Sequence, residues 1–133
     1  MKIKSIIFFL CLLFLISCQP KNSSKSRLMQ RINLYYTHIL KGEYGLAWDF
    51  LWHDAKRKRN RDEWDAFARG FDKVSKMTGF ELKSISLKLL VDKRIGYVEG
   101  VAKIYNQKLK KTAREEIEDL WLFENGDWYR FLE

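Results

Sequence analysis

Asp49 and His53 stand four residues apart in "WDFLWHDAK", the separation that brings two side chains to one face of a helix. A carboxylate that orients an imidazole makes a usable general base, so an isomerase or hydrolase built on this pair is one reading of the chain. The sequence places no nucleophile or oxyanion donor beside it, and the plainer reading is two polar residues on a surface helix. Glu115, Glu116, Glu118 and Asp119 form an acidic cluster in which strand alternation puts Glu116 and Glu118 on one face. That pattern fits a solvated strand end facing Lys and Arg better than an acid/base pair. Two histidines and no free thiol after Cys18 supply no metal-ligand spacing. No catalytic residue, metal site or cofactor is therefore assigned.

Charge gives the strongest local signal. Lys56, Arg57, Lys58, Arg59 and Arg61 put five cations into six residues of a chain whose net charge is +8. Such a run neutralises phosphates or rests on anionic headgroups, or else is simply a solvated loop that aids solubility. Which partner is available depends on where the protein resides, and that is written in the N-terminus.

Ile6–Ile16 reads IIFFLCLLFLI after Lys2 and Lys4, a basic segment followed by an apolar one too short to span a bilayer. Leu15-Ile16-Ser17-Cys18 then resembles the bacterial lipobox, with Leu three places before the Cys and a small residue directly before it. The resemblance implies cleavage after Ser17 and a diacylglyceryl thioether on Cys18, usually with a further acyl chain on the new amino group. Two or three chains anchor firmly where one does not. Residues 1–17 are then a signal peptide, 18–26 a lipidated Cys with a polar tether (QPKNSSKS), and 27–133 one domain. The expected address is the bacterial cell envelope. Gln19, where an Asp would favour retention in the inner membrane, tilts the choice toward the outer one. Nucleic acid is excluded as a partner by that address, and anionic lipid or an acidic envelope polymer is the better match for Lys56–Arg61.

The domain begins with helical periodicity: Leu28, Ile32, Tyr35, Tyr36 and Ile39 make an apolar stripe, with Ser26 as N-cap and Gly42 as a stop. A short second helix carries Tyr44, Ala47, Trp48 and Leu51. A third starts at Asp62 and buries Trp64, Phe67, Ala68, Phe71 and Val74. From Thr78-Gly79 the period becomes two. Phe80 and Leu82 lie on one parity and Ile85, Leu87, Leu89 and Val91 on the other, so a bulge near Lys83 or Ser84 is required to put both sets on one face. Asp92-Lys93-Arg94 turns the chain into a strand over Tyr97–Tyr105. Thr112–Phe123 is a third strand, and Asn125-Gly126 marks a hairpin into Trp128–Leu132.

Helices followed by antiparallel strands specify an α+β fold, N-terminal helices packed on a bent four-stranded sheet. The order, with "YYTHILKGEYGLAWDFL" and "WLFENGDWYRF", resembles the nuclear transport factor 2-like (cystatin-like superfamily, SnoaL-like) domains. The resemblance implies a cone with an apolar pocket, for which Tyr36, Trp48, Tyr97 and Trp121 are candidate lining residues. In catalytic members an Asp or Asp/His pair sits inside the cone, which would nominate Asp49, His38, His53, Glu99 or Glu116. With no constellation completed, the expectation is a lipoprotein without catalysis whose domain binds a small apolar ligand or an envelope protein, with a homodimer left open.

Overall fold

The computed structural model describes residues 22–132. Cleavage at Ser17, lipidation at Cys18 and the tether up to residue 21 lie outside the described residues.

Helix α1 (Lys25–Leu40) starts earlier than its apolar stripe suggests, because Ser24 is its N-cap and accepts the Arg27 amide at 3.1 Å. Lys25 and Ser26 therefore belong to the helix and not to a tether. Leu28, Ile32, Tyr35 and Tyr36 are buried along one face. Gly42, at φ 71°, ends the run, and α2 (Tyr44–Trp48) follows at once. The cationic stretch is not a loop. Lys56, Arg57 and Lys58 close α3 (His53–Lys58), where three cations suit the helix C-terminus, and Arg61 opens α4 (Arg61–Asp72). Asn60 caps α4 in a reciprocal pair with Glu63, each side chain bonding the other residue's backbone N–H at 2.9 Å.

Four strands, β1 (Ser75–Leu90), β2 (Lys93–Asn106), β3 (Lys111–Glu124) and β4 (Asp127–Phe131), pair antiparallel in the order β1-β2-β3-β4. The β1–β2 register slips between Leu82 and Ser84, where the change of apolar parity demands it, and again between Met77 and Gly79. Asn125 and Gly126 take φ 51° and 82°, the two left-handed positions that match a hairpin to strand twist. The β1–β2 turn begins one residue earlier than expected, at Val91-Asp92, and holds Val91 at φ 54°. A β-branched residue is strained in that region.

The helices cover one face of the sheet. Leu28, Ile32 and Leu51 pack there with Trp121 and Trp128, all fully buried. Two glycines of β2 make room for large side chains on this face. A Cβ on Gly96 would run into Leu28, and one on Gly100 would lie 2.6 Å from the Phe80 ring.

Two expectations are overturned. The nuclear transport factor 2-like cone does not form: the sheet is an open four-stranded meander, and large side chains fill the space between it and α1. Nor is the apolar face of α4 buried. Phe67 and Phe71 are 51% and 62% exposed, because α4 packs chiefly on α2 and leans only lightly on β1, and Val74, expected in the same helix, falls beyond its end and is 60% exposed.

Candidate functional site

The uncovered face of α4 borders an apolar groove of about 340 Å³. Phe67, Ala68 and Phe71 form one wall, Ile39 and Tyr44 the helical end, and Met77 and Ile104 the sheet side. The polar residues of the lining are Trp64, Arg130, Ser75 and the Tyr44–Asp72 pair. The Trp64 indole Nε1 and the Arg130 Nε are both buried and without a hydrogen-bond partner in the protein. A buried N–H left unpaired costs about 1–3 kcal/mol, and both of these atoms belong to residues of the groove lining. At one rim the Tyr44 hydroxyl donates to Asp72, and burial followed by that carboxylate pushes the phenol well above its usual range.

Arg130 is held from behind by a buried polar cluster. Its guanidinium donates to Asp119 at 2.6 Å and to the Tyr35 hydroxyl at 2.7 Å, and the Tyr36 hydroxyl donates to the other Asp119 oxygen. Burial works against the guanidinium charge, yet the acidic groups Tyr35, Tyr36 and Asp119 outweigh it and hold the proton more tightly than usual. Tyr35 and Tyr36 are shifted upward, burial being the largest cause in each. The cluster is thus an Arg130–Asp119 ion pair bracketed by two phenols, and Phe80 stacks on Tyr36 at 3.6 Å to lock its ring. Sequence reading missed it. The signal was parity: Asp119 shares an inner face with Trp121, and Arg130 shares one with Trp128, so two charged residues alternate with core tryptophans.

The residues nominated from the sequence do not assemble. Of the four pocket candidates, Tyr36 and Trp121 are core, at 3% and 0% exposure, and Trp48 is half-buried with its indole donating to the Arg59 carbonyl at 2.9 Å. Tyr97 is 40% exposed, because it falls on the outer face of β2, one residue out of step with the inward Gly96 and Val98. Asp49 and His53 do not meet, since α2 ends before Asp49 and α3 begins only at His53. Asp49 pairs with Arg61, while His53 stands 3.2 Å from Glu124 and 3.3 Å from Asp54. His38 is 2.7 Å from Glu43, and Glu99 accepts from Ser84 on the outer face. Glu115, Glu116 and Glu118 are exposed on β3.

Most of the cationic run is engaged within the domain. Lys56 donates to the Asp49 carbonyl and lies over Trp48, with burial lowering its pKa. Arg57 pairs with Asp54, Arg59 lies 4.0 Å over the Phe67 ring, and Arg61 holds Asp49. Lys58 closes α3. Among the described residues no cluster of His, Cys, Asp and Glu is arranged to hold a metal ion, and no helix is long and apolar enough to cross a membrane.

No family model matches the chain, and no curated protein matches it in sequence. A solved structure does: the solution structure of a SEC-C motif containing protein from Rhodopseudomonas palustris superposes with a TM-score of 0.61 over 89% of this chain and 83% of that one, at 14% identity. At that identity the likeness is one of fold, and it is to a SEC-C motif protein and not to a nuclear transport factor 2-like domain.

Proposed function

We propose that this chain is a lipid-anchored binding protein of the bacterial cell envelope, without chemistry of its own, that takes a small amphipathic ligand in the groove beside α4. The ligand has an apolar body and one end that accepts hydrogen bonds. The observation that carries the reading is a mostly apolar groove of about 340 Å³ whose lining includes Trp64 and Arg130, two residues with a buried, unpartnered N–H each. Small-molecule sites commonly pair this kind of lining with a few placed polar groups, at volumes from about 300 Å³ upward. The envelope address rests on the Lys2/Lys4 segment, the apolar run and Leu15-Ile16-Ser17-Cys18.

The test is a titration of the purified protein with decanoate and with decanol, followed by displacement of an environment-sensitive dye. Saturable binding is expected, and it is lost when Phe71→Asp places a charge on the groove wall or when Ala68→Leu fills it. No saturable binding, or binding indifferent to both substitutions, overturns the proposal.

A further inference from the structure

The β1–β2 hairpin ends in Val91 and Leu89, the two most exposed large apolar residues among the described residues, with Leu90 between them. Leu89, Leu90 and Val91 are 71%, 50% and 88% exposed in succession, and Val91 holds the left-handed backbone of the turn. Solvent gives no reason for three large aliphatic side chains at the tip of a long hairpin, one of them in a conformation it disfavours. Cations flank them: Lys88 before, Lys93 and Arg94 after, against the single acid Asp92. The aromatic ring of Tyr97 lies just below, on the outer face, with the Lys88 amine 5.2 Å from its centre.

This tip adjoins the end of the domain from which the N-terminal segment departs. The Arg94 guanidinium donates to both the carbonyl and the hydroxyl of Ser23, at 3.3 and 2.8 Å. Ser23 is five residues from Cys18, a span of at most about 18 Å even when extended. The other hairpin tip, at Gln107–Lys110, lies at the far end of β2, roughly 45 Å away.

We infer that the Leu89-Leu90-Val91 tip is a membrane-contact element that enters the interface of an anionic bilayer beside the anchor. The three aliphatic side chains go into the acyl boundary, Lys88, Lys93 and Arg94 rest on the headgroups, and Tyr97 takes the interfacial depth where amphipathic rings collect. The hairpin then fixes how the domain stands on the bilayer, so the anchor is a hinge point and not a free leash. The inference rests on the lipid-anchor reading for its geometry, but the contact itself is a property of the tip.

The test uses lipidated protein reconstituted into vesicles of phosphatidylglycerol and phosphatidylethanolamine, with a nitrobenzoxadiazole label on Val91→Cys or, as a control, Gln107→Cys. A blue-shifted emission at 91, quenched by lipids brominated in the acyl chain, with position 107 remaining aqueous, is expected. A label at 91 that reports water as 107 does, in protein that stays with the vesicles, overturns the inference and leaves the anchor standing. The chain from residue 19 onward, which lacks both the apolar Ile6–Ile16 run and the acylated Cys18, provides the second arm. Adding Leu89→Ser and Leu90→Ser to it should cut its salt-sensitive co-sedimentation with these vesicles about tenfold or more, and equal sedimentation overturns the inference. Failure of the anchor reading looks different: the native chain takes up no palmitate while the tip still binds.

Discussion

Arg130 and Asp119 meet at 2.6 Å on the inner face of the sheet, with the Asp119 side chain 3% exposed and that of Arg130 18% exposed. An ion pair taken out of water is sustained only if its remaining donors and acceptors are satisfied, and here Tyr35 and Tyr36 satisfy most of them. The Arg130 Nε is left over, buried and without a partner, on a residue that also lines the groove beside α4.

Breaking that pair from one side leaves a buried charge. Asp119→Asn is expected to destabilise the domain by about 3–5 kcal/mol in urea unfolding, whereas Asp119→Leu combined with Arg130→Met should recover much of the loss. Tyr36→Phe removes one hydrogen bond from the same cluster and should cost about 1–2 kcal/mol.

Acid should loosen the junction between α1 and β4. Burial raises the Asp127 pKa, but the Arg27 hydrogen bond, the Trp128 amide and the Arg31 charge together bring it below its ordinary value. The stabilisation is therefore complete above pH about 4 and is lost as pH falls through the lowered value. Asp127→Asn should be less stable than the native chain at pH 7, by about 1 kcal/mol, and the gap should close in unfolding curves taken toward pH 2.

Gly100 tests how the cluster is positioned. A Cβ there meets the Phe80 ring at 2.6 Å, and Phe80 is stacked on Tyr36, so Gly100→Ala displaces both. The expected loss is about 1–3 kcal/mol, accompanied by weaker decanoate binding. Gly70, with nothing within 4 Å of an added Cβ, is the contrasting site, and Gly70→Ala should gain a few tenths of a kcal/mol from helix propensity.

Much of the chain's course could be read from local patterns. The parity change between Leu82 and Ile85 called for a bulge that the register shift at Leu82/Ser84 supplies, and Asn125-Gly126 forms the turn its composition indicates. What the patterns did not carry was which faces find a partner. The α4 periodicity is helical and apolar, but periodicity cannot say that α4 rests on α2 and leaves Phe67 and Phe71 open. The i,i+4 argument for Asp49 and His53 assumed one continuous helix, and the break between α2 and α3 undid it. Asp119 looked like one of four strand-end acids, although its parity with Trp121 set it apart.

The groove itself is addressed most directly by nuclear magnetic resonance of the indole and guanidinium N–H groups during a decanoate titration. Trp64, Trp121 and Trp128 all carry buried, unpartnered Nε1–H groups, but of the three only Trp64 lines the groove. The Trp64 Nε1–H and Arg130 Nε–H resonances should shift saturably while those of Trp121 and Trp128 hold still. If all three indoles drift together, or none moves, the groove beside α4 is not a ligand site.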